Sequence, residues 1–296
     1  MPVSAGGTSN ARYCYAVWMR HLTFLAKYNG REIPANVAEL GPGDSIGVGL
    51  AALLSGVESY FALDVIKYWN NDRNLRILDE LVVLFQKKEP IPGNKEFPLL
   101  QPVPDDFQFP ENIITDQILN QTLNMNRVSK IREELMNPEN GNNMFIHYKI
   151  PWDDIGIMVP ESLDFIFSHT VLQHIEDIGN AYNAMNSWLK PGGFLSHLID
   201  YKSMGFTLRW NGHWTFNDWE WRFMVGGRKF SINRMPHSKH IQFFRDNYFK
   251  ILFLRIENTE STLLKNRLAK KYRSLSDDDL NTSGAYLIAQ KNIPAE

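Results

Sequence analysis

Short apolar runs alternate with amphipathic stretches along most of this chain. Residues 35–40 (ANVAEL) are an almost continuous apolar run, the pattern of a strand buried on both faces. Residues 45–56 (SIGVGLAALLSG) follow as a helix whose small residues allow close approach to a sheet. A second strand is expected at SYFALDV, ending in Asp64, a third at 144–150 (MFIHYKI) and a fourth at 163–168 (LDFIFS). EDIGNAYNAMNSWL then predicts a helix with Ile178, Tyr182, Met185 and Leu189 facing inward. Lys190-Pro191-Gly192-Gly193 is expected to stop it, since glycine supplies a left-handed cap and proline cannot continue a helix. GFLSHLIDY, 250–256 (KILFLRI) and 284–291 (GAYLIAQK) complete seven strands. Strands alternating with helices imply an α/β fold: a seven-stranded, mostly parallel, doubly wound sheet covered on both faces.

Two stretches interrupt the alternation. After the second strand, Leu75, Leu78, Leu81, Val82 and Phe85 recur at helical spacing, and 116–136 repeats the pattern with Ile118, Leu119, Leu123, Val128, Ile131 and Leu135. A loop holding Pro90, Pro92, Pro98, Pro102, Pro104 and Pro110 separates these two amphipathic helices. Residues 66–143 therefore read as a helical insertion over one sheet edge, in preference to a separate domain, because the sheet resumes directly afterwards. Residues 202–248, rich in aromatics, form a second insertion after the fifth strand. Residues 1–34 form an N-terminal helical cap carrying the aromatic, amphipathic ARYCYAVWMRHLTFLAKY.

A chain of 296 residues, 44% hydrophobic, can bury one large α/β core with insertions. Its net charge of −2 creates no basic field, so a small-molecule partner is expected and nucleic acid is not. The run KNRLAKKYR (265–273) reads as a solvated helix face. Cys14 is the only cysteine, which excludes an internal disulfide and a multi-cysteine zinc site. His237-x-x-His240 has no third ligand nearby in sequence and reads as a surface pair, so no metal is expected. The polar N-terminus lacks a signal core and no apolar run approaches the roughly 20 residues that span a bilayer. A soluble, cytoplasmic protein without membrane insertion is the expectation.

In an open α/β sheet, ligands bind beyond the carboxyl ends of the strands. That rule selects Glu39 to Gly43, Asp64, Pro151-Trp152 and Ser168-His169. Glycines at 41 and 43 let the backbone approach a ligand, and the helix that follows offers free N–H groups. Asp64 is placed to accept hydrogen bonds from the two hydroxyls of a ribose, which suggests a nucleoside. A nicotinamide dehydrogenase would want a third glycine where Ile46 stands.

Glu39-Leu40-Gly41-Pro42-Gly43, Asp64, LDFIFSHTVLQHIED and the KPGG before strand five resemble the class I S-adenosylmethionine-dependent methyltransferases. The resemblance covers 35–64, 145–201 and the final strand pair, so that 35–296 would be the methyltransferase domain, and it does not cover the insertions. It implies S-adenosyl-L-methionine as cofactor, held by Glu39, Gly41, Pro42, Gly43 and Asp64, with Ser168 and His169 near the transferable methyl. Pro151 and Trp152 would line the adenine, with Asp153 or Asp154 reaching its amino group; Trp152 as plain core packing is the alternative.

Transfer to an oxygen acceptor also requires removal of a proton, and histidine is the common base. His169 and His174 are the candidates, although His174 also suits a role in positioning its own turn. His197 reads as a core histidine, with Asp200 beyond it toward the cleft. Residues 202–240 hold four of the eight tryptophans. Such a segment would arch over the cleft with Trp210, Asn211, His213, Trp214, Asn233 and Arg234 toward the acceptor, or else form an aromatic cluster that stabilises itself. Tyr13 and Arg20 are further acceptor-side candidates. The acceptor expected is a small or medium polar molecule methylated on a hydroxyl, with a sugar or glycan precursor as the guess. An NAD-dependent oxidoreductase and a non-catalytic cofactor-binding protein are the competing readings.

Overall fold

The computed structural model describes residues 7–152, 154–228 and 231–293. Asn10 caps the first helix, α1 (Ala11–Leu25), by accepting from the Tyr13 N–H. This helix is not amphipathic: Tyr15, Trp18, Leu22 and even Arg20 and His21 are fully buried. One side lies on the sheet, where Trp18 meets Phe165 and Phe167. The proline-rich loop covers the other. The Arg20 guanidinium donates to the carbonyls of Pro92 (2.8 Å), Pro102 (3.2 Å) and Leu100, supplying partners that a proline-rich loop cannot find in regular structure.

The strands are β1 (Asn36–Leu40), β2 (Ser59–Leu63), β3 (Ile146–Lys149), β4 (Leu163–His169), β5 (Leu189–Asp200), β6 (Phe249–Asn258) and β7 (Thr282–Lys291). They form one sheet in the order β3-β2-β1-β4-β5-β7-β6. The first five are parallel, and β7 inserts antiparallel between β5 and β6. This is the expected doubly wound, mostly parallel α/β sheet. Register places Val37 beside Tyr60 and Phe165, and Glu39 beside Ala62 and Phe167. Strand alternation therefore sends Glu39, Tyr60, Phe165, Phe167 and His169 to one face and Ile166, Ser168 and His197 to the other.

The first face packs under α1, α2 (Gly47–Ser55) and the insertion helices α3 (Asn71–Gln86), α4 (Asp116–Thr122) and α5 (Met125–Met136), which share one apolar core. The second packs under α6 (Ile178–Trp188) and, beyond it in sequence, α8 (His237–Asp246); α7 (Asp218–Val225) lies in the aromatic insertion and α9 (Asp277–Asn281) precedes β7. Among the described residues no helix is long and apolar enough to cross a membrane.

Two local expectations need correction. The periodic stretch 116–136 is two helices, because the Asn124 side chain accepts from the Asn126 N–H and starts a new helix there. KPGG does not cap α6. The chain turns extended at Leu189, which pairs with Leu163, and Gly192 at φ +80° lies in the bulge before Phe194 pairs with Phe165. Strand pairing captures Leu189 before a helix cap can form.

The small residues of α2 serve close approach as expected. A Cβ on Gly49 would stand 2.0 Å from the Tyr60 ring, which is fully buried. Gly49→Ala is expected to lower stability by about 1–3 kcal/mol through overpacking, despite alanine's better helix propensity. Urea unfolding measures it, and an unchanged or raised midpoint would contradict this packing.

Candidate active site

Beyond the carboxyl end of β1 the chain turns through Gly41 (φ +65°) and Gly43 (φ +76°). A Cβ on Gly41 would lie 2.7 Å from the Val171 side chain, so space as well as conformation demands glycine here. Just before the turn, Glu39 is almost wholly buried and accepts a hydrogen bond from the Tyr60 hydroxyl at 2.5 Å. Burial pushes its carboxyl up to about 8, opposed by the Tyr60 bond and reinforced by the charge of Asp64.

Asp64 lies one residue past β2. Its Oδ1 accepts from the Val65 N–H at 2.7 Å, while its Oδ2 is buried and has no partner. Burial raises this carboxyl to about 6, against the lowering effect of backbone N–H groups at Val65, Ile66 and Gly43. An unpartnered carboxylate oxygen beside a glycine turn fits a ligand bearing hydroxyl donors, as the ribose of S-adenosylmethionine does.

His169 ends β4 on the same face as Glu39. A cavity of about 90 Å³ lies between them, bounded by Gly7, Thr8, Tyr13, Val17, Gly41 to Gly43, Val48 and Thr170 to Val171. Ligand pockets commonly measure ~300 Å³ or more, so a ligand of cofactor size needs more room than this cavity offers, and the Gly7–Ser9 turn forms part of its wall. That turn is held by the Thr8 carbonyl, which accepts from the Ser45 hydroxyl and from Cys14 Sγ (3.3 Å). A larger groove of about 790 Å³ lies at the other end of α1, between Lys27 and Pro110, with none of these residues in its wall.

The remaining candidates divide. Tyr13 lines the cavity with its ring edge-on to His169, whereas Arg20 is spent on the proline-rich loop. The Ser168 side chain faces the opposite layer, where its hydroxyl meets His197 Nδ1 at 2.8 Å. Pro151 follows a cis peptide bond, and Trp152 is buried edge-on to Trp188 in the second core. Asp153 lies outside the described residues, and Asp154 caps a turn by accepting from the Gly156 N–H. His174 Nδ1 lies 3.1 Å from the Ser231 carbonyl. Asp200 accepts from the Lys202 N–H at 2.8 Å.

In the aromatic insertion the polar atoms largely bind the segment itself and its neighbours. Asn211 donates to Ser261 and to the Leu280 carbonyl, Trp214 to the Arg234 carbonyl, and Trp210 to the Glu260 carbonyl. Arg234 donates to the Phe216 carbonyl and Asp218 and lies over the rings of Trp221 and Tyr272. His213 packs on Trp214 and is held neutral by burial, well below the usual histidine range, with a secondary contribution from Arg234. Asn233 is different: its amide donates to the carbonyls of Leu172 and Ile175, joining the segment to the turn after β4. His237 and His240 are not a surface pair, because His240 is buried against the Tyr182 hydroxyl (3.0 Å) and His237 meets Tyr201 (3.1 Å). The basic run forms two short turns, Lys265–Arg267 and Lys270–Tyr272, that bury Leu268 and Tyr272 against Trp214. Among the described residues no group of three or more metal-ligating side chains can hold an ion.

The sequence reading missed Tyr60, Thr8, Val171 and His21. For Tyr60 a signal existed, since strand alternation puts it on the face of Val37 and Glu39. Thr8 and Val171 come from loops, where no periodicity indicates direction.

The acids have a measurable consequence. The folded protein holds the Asp64 proton more tightly than the unfolded chain, because burial raises the carboxyl from its ordinary 3.8 to about 6. The stabilisation from the neutral acid is full below about pH 4 and is lost as pH rises through about 6. Its size is at most about 3 kcal/mol. Urea unfolding across this range is expected to show stability falling with pH, less steeply in Asp64→Asn; equal slopes would refute the assignment.

Among curated proteins none matches this chain. The sequence model described as a methyltransferase domain matches residues 152–196. Solved structures similar to the chain include an S-adenosylmethionine-dependent methyltransferase of Methanosarcina mazei, at 13% identity and TM-score 0.46, covering 92% of this chain and 98% of that one. One from Mesorhizobium loti shows 12% identity and TM-score 0.44, with 93% and 98% covered. Phosphoethanolamine N-methyltransferase 2 of Haemonchus contortus shows 13% identity and TM-score 0.44, with 93% of this chain and 53% of that one covered. The matched segment is similar to a methyltransferase domain, and with this strand order and this glycine turn the chain has the fold of the class I S-adenosylmethionine-dependent methyltransferases.

Proposed function

We propose that the protein methylates a hydroxyl of a small or medium polar acceptor, a sugar or glycan precursor being the class in view. The observation that carries cofactor use is the buried, unpartnered Oδ2 of Asp64 beside the glycine turn. Once bound, S-adenosylmethionine supplies a methyl group activated on a cationic sulfur. Asp64 accepts from the ribose hydroxyls, Gly41 and Gly43 admit the ligand to backbone distance, and Tyr13 and His169 wall the cavity against water.

Proton removal from a hydroxyl acceptor falls to His174. Its Nδ1–H donates to the Ser231 carbonyl at 3.1 Å, which leaves Nε2 as the unprotonated nitrogen. Burial lowers its pKa, partly offset by the Ser231 bond and the charge of Asp200, so the ring is neutral near pH 7. Asn233 ties the turn carrying His174 to the aromatic insertion, so the interlocked rings of Trp210, His213 and Trp214, with Arg234 bonded to Trp214 through its carbonyl, serve as the frame of the acceptor side. The net charge of −2 favours a small acceptor over a nucleic acid.

Calorimetric titration with S-adenosylhomocysteine is expected to show binding, with NAD(H) giving none. Asp64→Ala should weaken it ~10-fold or more, the usual effect of losing hydrogen bonds to a charged group. Preference for NAD(H), or an unchanged affinity in Asp64→Ala, would refute the cofactor reading. With an acceptor in hand, His174→Gln is expected to lower kcat ~100-fold or more while S-adenosylhomocysteine affinity holds; undiminished kcat would remove His174 as the base.

A further inference from the structure

A buried chain of polar groups runs from the cavity through α1 and across the sheet. His169 Nδ1 lies 3.3 Å from His21 Nε2, His21 Nδ1 lies 2.6 Å from the Ser196 hydroxyl, and that hydroxyl lies 2.8 Å from the Tyr286 hydroxyl. His21, Ser196 and Tyr286 are shielded from solvent. Register explains the meeting: Phe167 pairs with Ser196 and His169 with Leu198, which pairs with Tyr286, all on the face covered by α1.

The chain has two unbroken proton arrangements, and they differ at the ends; a third, with His21 and Tyr286 both donating to Ser196, leaves the Ser196 proton without an acceptor among the described residues. Each neutral imidazole carries one N–H and one lone-pair nitrogen, and each hydroxyl has one proton. If protons run toward Tyr286, His169 donates from Nδ1, His21 donates to Ser196, and Ser196 donates to Tyr286. The Tyr286 proton is then left over. Among the described residues its hydroxyl has no partner except Ser196, so a buried donor would go unsatisfied. If protons run the other way, Tyr286 donates to Ser196, Ser196 to His21 Nδ1, and His21 Nε2–H to His169 Nδ1. Every buried proton is then used, and the surplus N–H is His169 Nε2, on the residue that lines the cavity.

We infer that His169 is a hydrogen-bond donor, presenting Nε2–H to an oxygen of the bound ligand, and that His21, Ser196 and Tyr286 are the positioning residues that set its tautomer. Neither imidazole carries charge near neutrality. Burial brings His169 down to about 3, with the Arg20 charge adding to the effect, and drives His21 down as well. A base would need its lone pair on the nitrogen that is not bonded to His21, and in His169 that nitrogen is protonated. The two histidines of the strand-four end thus take opposite tautomers, His169 to donate and His174 to accept.

The tautomer follows from this chain's hydrogen bonds alone, while its role toward S-adenosylmethionine or the acceptor rests on the function proposed above. Long-range ¹H–¹⁵N correlation on histidine-labelled, ligand-free protein reads it directly. The expected result is His169 in the Nε2–H form, with Ser196→Ala giving a mixture of tautomers and Ser196→Thr restoring the single form. An Nδ1–H His169 in the wild type, or a tautomer indifferent to Ser196→Ala, would overturn the inference; a merely structural serine would not move this signal. For the ligand, His169→Gln keeps an N–H donor and is expected to retain most S-adenosylhomocysteine affinity, whereas His169→Phe should lose ~10-fold. If His169→Gln binds S-adenosylhomocysteine normally yet loses turnover, His169 is a base and the inference falls. Absence of binding by the wild type would refute the cofactor reading and leave the tautomer measurement standing.

Discussion

The hydrogen bond from Tyr60 to Glu39 joins the packing of this protein to its site. Tyr60 fits beneath α2 only because position 49 has no side chain, and its hydroxyl then reaches the buried carboxyl at the mouth of the glycine turn. A carboxyl at this depth carries a large desolvation cost, and the phenol offsets part of it. Gly49, Tyr60, Glu39 and the turn at Gly41 therefore form one unit. The close approach of helix to sheet that a parallel β-sheet needs also sets the polarity of the cleft.

The same face of the sheet owes its other polar groups to α1. A helix so deeply buried must satisfy Arg20 and His21 without water. Arg20 does so on three carbonyls of the proline-rich loop, and His21 does so between His169 and Ser196. The loop and the helix thus complete one another: the prolines leave carbonyls without backbone donors, and the helix leaves a guanidinium without solvent. Both histidines are kept neutral by the burial that this arrangement imposes.

On the other face, the aromatic insertion is built as a small core of its own. Trp214 buries with Leu263, Leu268, Tyr272 and Leu280, and Trp221 with Val225 and Ile232. These rings hold each other, and the polar atoms among them close hydrogen bonds within the segment and with the stretch after β6. What reaches the strand-four end is Asn233, whose side-chain amide donates to two carbonyls of the turn that carries His174 and whose N–H donates to the Gln173 carbonyl, together with the Ser231 carbonyl bonded to His174.

How much of this was legible follows from the range of each interaction. The sheet, its seven strands and the turn at Glu39 to Gly43 could be read because alternation, glycine placement and a terminal acid at Asp64 are local patterns. KPGG misled because strand pairing at Leu189, a contact with Leu163, took precedence over a local cap signal. Arg20 and Tyr13 look alike as polar positions on one aromatic helix, yet one is spent on a loop some eighty residues away while the other faces the cavity. Ser168 and His169 are neighbours whose side chains fall on opposite faces of the sheet, and only the direction of the pleat separates them. The sequence by itself determined the fold class and the glycine turn with its acids, because those depend on residues close together in the chain. The tertiary structure decided which ring nitrogen carries a proton, which arginine is buried and which aromatics only hold each other, because each of those depends on hydrogen-bond partners brought together from distant segments.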